Sequence, residues 1–165
     1  MSEPATTQET PELRTTRQVS LKMAKKVLDA AEQKSRQMDL ASVITVTDAE
    51  GNIIAQRRMD NAWLPSVSIS RQKAYTAAGF EFPTHDLADL TTPGESLWGL
   101  HTTDDGRLVM FGGGYPLEAD GEVVGAIGAS GGTVPQDKEV AEAGVDRFDA
   151  LVQGEDGGEH SSTEQ

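Results

Sequence analysis

Three groups of residues have types and spacing suited to chemistry. The first is cationic: Arg57 and Arg58 end an apolar run, Asp60 follows, and Arg71 and Lys73 come shortly after. Cations placed at a strand end and along the next helix could hold an anionic ligand, with Asp60 orienting it or accepting a proton. A surface salt-bridge network uses the same residue types and contributes little to stability. The second group is two glycine clusters, Gly112–Gly114 and Gly128–Gly132, the latter interrupted by Ser130. Exposed N–H groups there, beside the start of a helix, would suit a carboxylate or phosphate. Turns and close packing are the plainer use of such glycines, and the spacing matches neither a Walker loop nor a strand-to-helix GxGxxG. The third group is His85 and His101, each able to ligate haem iron or another metal, or to move a proton near neutral pH. An ordinary loop histidine is the competing explanation, and no HExxH or CxxC spacing points to a zinc site.

The elements that must position these groups follow from hydrophobic period and turn residues. Leu21, Ala24, Val27, Leu28 and Ala31 fall on one helical face within 16–38, with Thr16 or Ser20 available as the cap. Ser42–Asp48 reads as a central strand, Asp48–Gly51 as a turn, and Asn52–Met59 as the returning strand of a hairpin. A helix is expected over Val67–Phe80 with Ser66 as its N-cap. Residues 81–105 carry Pro83, Pro93, Gly94 and Trp98 and show no period; loops of this length in compact domains tend to be functional or mobile. Strands follow at Leu108–Phe111, Tyr115–Glu118 and Glu122–Ala129. Thr133 and Gln136 form a capping-box pattern opening a helix to about Val152.

This order predicts a single α+β domain over 16–152, an antiparallel sheet with packed helices, between disordered tails at 1–15 and 153–165. Eight of the 17 glycines lie within 107–132, so this stretch organises the domain. Gly121, Gly125 and Gly128 read as architectural. Gly112, Gly113, Gly114, Ser130, Gly131 and Gly132 are ligand-facing candidates if the Arg58–Lys73 segment folds beside them.

Composition narrows the function classes. A net charge of −13 argues against nucleic acid, which needs clustered Lys and Arg. The surface is either simply solvated or adapted to high salt. Cysteine is absent, which removes disulfides and thiolate chemistry, and no apolar run is long enough to span a membrane. Together these lead us to expect a cytoplasmic protein with no membrane partner.

The runs RRMDNAWLPSVSISRQKAYTAAGFEFPT (57–84) and FGGGYPLEADGEVVGAIGASGGTVPQDKEVAEAG (111–144) resemble the GlcG/HbpS family, which includes a glycolate-operon protein, a haem-binding sensor partner and the PduO-type carboxy-terminal domain. The matching positions are Arg58, Met59, Asp60, Lys73, Thr76, Pro83, Thr84, Gly112–Gly114, Pro116, Gly128, Ser130–Gly132 and Asp137. The resemblance implies a five-stranded antiparallel sheet, dimers assembling into octamers, and binding of haem or another small molecule. Three readings follow. The first is an oligomeric binding protein for haem or a small carboxylate. The second is an enzyme on a small organic acid or haem-derived substrate: Asp60 or His101 transfers protons, Arg58 and Lys73 hold the anion, and Gly112–Gly114 N–H groups stabilise charge. The third is a structural oligomer.

Overall fold

The computed structural model describes residues 12–154. Most of the expected amino-terminal tail and nearly all of the carboxy-terminal one lie outside these residues. The elements are α1 (Leu21–Gln37), β1 (Val43–Asp48), β2 (Ile53–Arg58), α2 (Leu64–Phe80), β3 (Gly114–Ala119), β4 (Glu122–Ser130) and α3 (Val134–Val152). Between α2 and β3 the chain makes only short 3-10 turns.

The sheet order is β2-β1-β4-β3 and every pairing is antiparallel. Both connections β1–β2 and β3–β4 are hairpins, so the crossover from one sheet edge to the other falls to α2 and residues 81–113. Asp48 shapes the first hairpin by accepting from the Glu50 and Asn52 N–H groups. Asp120 and Gly121, at φ 55° and 77°, shape the second.

Helices cover both faces of the sheet. On one face α1 and α3 pack together and bury Val27, Leu28, Val140 and Phe148 against Ile44, Val46, Leu117 and Ile127. The Ser20 hydroxyl caps α1 by accepting from Met23 N, and Thr133 with Gln136 closes α3 in the expected capping box. On the other face α2 lies across β4, β1 and β3 through small residues, Ala74, Ala77 and Ala78 meeting Ala126. A Cβ on Gly128 would collide with the Ser70 carbonyl oxygen and reach within 2.6 Å of Ala74 N. Only glycine permits so close a helix-to-strand approach.

Two expectations are corrected. The sheet has four strands, not five, because Leu108–Phe111 never pairs with it. Its backbone groups bond to side chains instead: Val109 N donates to the Thr76 hydroxyl (3.0 Å) and the Thr84 hydroxyl donates to Phe111 O (2.8 Å). Satisfied in this way, the segment lies along α2 rather than adding to the edge at β3. Secondly, α2 begins at Leu64, with Pro65 in its first turn, so Ser66 lies inside the helix and is not its cap. The Ser66 hydroxyl accepts from the Ser130 hydroxyl at 3.0 Å and ties α2 to the end of β4.

Candidate functional site

The glycine clusters and Lys73 do come together, around a carboxylate of the chain itself. Asp137 sits in the first turn of α3, where β4 ends. Its Oδ1 accepts from Gly131 N (3.0 Å) and Gly132 N (2.9 Å). Its Oδ2 accepts from Lys73 Nζ at 2.7 Å, and the same ammonium donates to Ala129 O at 2.8 Å. The two side chains are 0% and 6% exposed, and the ammonium lies 5.1 Å from the Phe111 ring centroid. Burial lowers the Lys73 pKa from its usual value, with Asp137 opposing that shift. The backbone cradle at the helix N-terminus is real, and Asp137 occupies it. A Cβ on Gly113 would come within 2.7 Å of Lys73 Nζ, so this glycine, at φ 114°, makes room for the ammonium. Gly112 packs over the Lys138 side chain.

Arg58 and Asp60 lie elsewhere. Arg58 donates to Ala62 O through both Nε and Nη2 and so closes the turn after β2. Asp60 is exposed in that turn. Arg57 pairs with Asp29 and Glu32 on α1. His85 lies against Tyr115 with the rings tilted at 56° and their centroids 5.7 Å apart, and its Nδ1 is buried and unpartnered.

His101 lies in a different setting. It lines a groove of about 530 Å³ between α2, which supplies Ile69 and Gln72, and the irregular segment, which supplies Thr91, Leu108, Val109, Met110 and Phe111. Among the described residues its ring nitrogens make no hydrogen bond, and Trp98 meets its ring edge-on at 5.7 Å. The volume falls within the roughly 300–1,000 Å³ typical of small-molecule and cofactor sites. The groove wall is pinned by Thr76 and Thr84, through the bonds that keep 108–111 out of the sheet, and Thr84 also accepts from Gly114 N at 3.1 Å. These two threonines position the site rather than touch its contents.

The donor set suits haem. Imidazole and thioether are both axial ligands of haem iron, and the remaining lining is largely apolar, as a porphyrin face requires. Of the residues expected from sequence, His101 alone lines this groove. Sequence reasoning missed Leu108, Met110 and Phe111 because they read as a strand of the sheet, and it missed Ile69 of α2 because that residue reads as ordinary helix packing.

The fold and groove define a class: a small α+β domain that encloses an internal ion pair and leaves one apolar, histidine-bearing groove beside α2. Comparison with known proteins places the chain in a family. It belongs to the HbpS-like family, whose model, described as haem degrading protein HbpS-like, matches residues 19–146. It is 44% identical over 133 residues to an uncharacterized 15.0 kDa protein from the dhaT–dhaS intergenic region of Citrobacter freundii, covering 81% of this chain and 94% of that one. The crystal structure of protein ORFY from Klebsiella pneumoniae superposes with a TM-score of 0.84 at 37% identity, covering 86% of this chain and 98% of that chain. A crystal structure of a PduOC–haem complex superposes at 0.77 with 35% identity, covering 79% and 94% respectively. Among the described residues no helix is long and apolar enough to cross a membrane.

Proposed function

We propose that this chain is a haem-binding protein whose site is the groove beside α2, with His101 as the iron ligand. The observation that carries the proposal is the joining of His101, Met110 and an apolar wall in one cavity of about 530 Å³. The haem complex of the PduOC relative supports it. When bound, haem would supply an iron centre; the chain's part is to hold the ring between Ile69, Leu108 and Phe111 and to present the His101 imidazole.

A free small carboxylate held at the glycine clusters is the weaker reading, because Asp137 already accepts from Gly131 and Gly132. The enzymatic reading, in which Asp60 or His101 transfers protons while Arg58 and Lys73 hold the anion, is weaker too, since Asp60, Arg58 and Lys73 are not among the side chains lining the groove with His101. Assembly into homo-oligomers belongs to the same proposal, and native mass spectrometry measures it together with any bound ligand.

Titration of apo-protein with haemin, followed in the Soret region, tests the site. A saturable spectral shift is expected, changed in position and at least tenfold weaker in His101→Ala. An unshifted spectrum with wild-type protein, or identical spectra and affinities for the two proteins, would refute the assignment.

A further inference from the structure

Beside the groove lies a second, smaller concavity of about 110 Å³, lined by Ser68, Arg71, Gln72, Tyr75 and Arg107. Gln72 lines both. Resting on the haem reading above, we propose that this concavity is a carboxylate subsite, taking an acidic side group of the ligand whose apolar body lies in the groove.

The helix makes the subsite by spacing. Ser68, Arg71, Gln72 and Tyr75 stand at i, i+3, i+4 and i+7 of α2, so they form one continuous face. Arg107 closes that face from the opposite side. Its guanidinium lies 4.8 Å from the Tyr75 ring centroid. Nε donates to Asp104 O at 3.1 Å and Nη2 pairs with the Asp104 carboxylate. The Tyr75 hydroxyl is also committed to Asp104, which raises its pKa.

One cation therefore remains unmatched. Two guanidiniums line the concavity, and among the described residues Arg107 is paired with Asp104 while Arg71 has no ion-pair partner, so one positive charge is in excess. On a chain of net charge −13 such a concavity beside an apolar groove is an unusual arrangement. A planar fork matches carboxylate geometry, and the hydroxyl of Ser68 and the amide of Gln72 add neutral donors. A volume of about 110 Å³ admits a carboxylate. The ligand class is thus an apolar planar molecule bearing peripheral carboxylates, and porphyrin propionates meet that description.

The experiment titrates wild type and Arg71→Gln with haemin and with haemin dimethyl ester, whose propionates are uncharged. Arg71 is exposed, so folding is expected to be unchanged, and circular dichroism checks this. Wild type should bind the diester about fivefold more weakly than haemin, and Arg71→Gln should lower haemin affinity about fivefold while leaving the diester unaffected. Equal affinities of wild type for haemin and diester would overturn the subsite while leaving the groove assignment standing. So would an equal loss for both ligands in Arg71→Gln. Failure of wild type to bind either compound would overturn both.

Discussion

Replacing Lys73 by methionine separates an internal ion pair from a ligand-holding cation. Methionine keeps most of the apolar stem and its packing beside Gly113, but removes the ammonium that bonds Asp137 and Ala129 O. Asp137 then remains buried, with only the Gly131 and Gly132 N–H groups to stabilise its carboxylate. Breaking one partner of a buried pair costs about 3–5 kcal/mol. For a domain whose total stability is about 5–15 kcal/mol, that is a large fraction. With a urea m-value of about 2 kcal/mol/M, the unfolding midpoint should fall by about 1.5–2.5 M. The pH dependence carries a sign as well. Burial lowers the Lys73 pKa below its ordinary 10.5, so between those two values the unfolded chain holds a proton that the folded chain has lost. The stability of wild type relative to Lys73→Met therefore rises with pH across that window. Haem affinity, measured where the variant is still folded, should stay within about threefold of wild type, because Lys73 does not line the groove. A variant with wild-type stability and abolished ligand binding would refute this reasoning and restore Lys73 as the anion-holding cation.

Three further substitutions address the packing that builds the site. Gly128→Ala should destabilise by about 3 kcal/mol, the upper end for overpacking, because the atoms met are the α2 backbone at Ser70 and Ala74. Gly79→Ala, in the same helix with open space around it, should instead stabilise by about 0.5–1 kcal/mol; thermal or urea unfolding reads both. Thr76→Val leaves Val109 N without its acceptor, which should cost about 1–3 kcal/mol and weaken haem binding by loosening the groove wall. Unchanged stability would show that the Leu108–Phe111 segment is held by something else.

The parts of the fold legible in the sequence were those with local causes. The 3.6-residue period of α1, the capping box at Thr133–Gln136 and the acidic–glycine turn at Asp120–Gly121 each act within a few residues, and the structure has all three. Leu108–Phe111 looked like a strand because it is short and apolar, yet its partners are threonines 27 and 33 residues away. Side-chain acceptors at that distance leave no periodic signal. Ser66 looked like a cap for a similar reason: its actual partner, Ser130, lies 64 residues along the chain. At the site, juxtaposition of Lys73 with the glycine clusters was legible from charge and backbone chemistry, but the carboxylate that fills the cradle was not. Asp137 reads locally as a favourable first-turn residue, and only the fold shows that its carboxylate faces the ammonium.

The size of the groove also decides between ligand classes, and this gives a last prediction. An open groove holds a ligand mainly through apolar area, at about 25 cal/mol per Å² removed from water. A porphyrin face burying about 200 Å² there would gain about 5 kcal/mol before any iron ligation. A two- or three-carbon hydroxy acid offers almost no such area and depends on Arg71, an exposed cation of the kind whose pairing contributes about 0–1 kcal/mol. Millimolar affinity already requires about 4 kcal/mol, so such an acid falls short of it. Glycolate or lactate added to the haem complex should therefore leave the Soret spectrum unchanged up to millimolar concentrations. Displacement of haem by micromolar glycolate would show that the groove recognises the small acid itself, with affinity drawn from contacts other than apolar burial and the Arg71 charge.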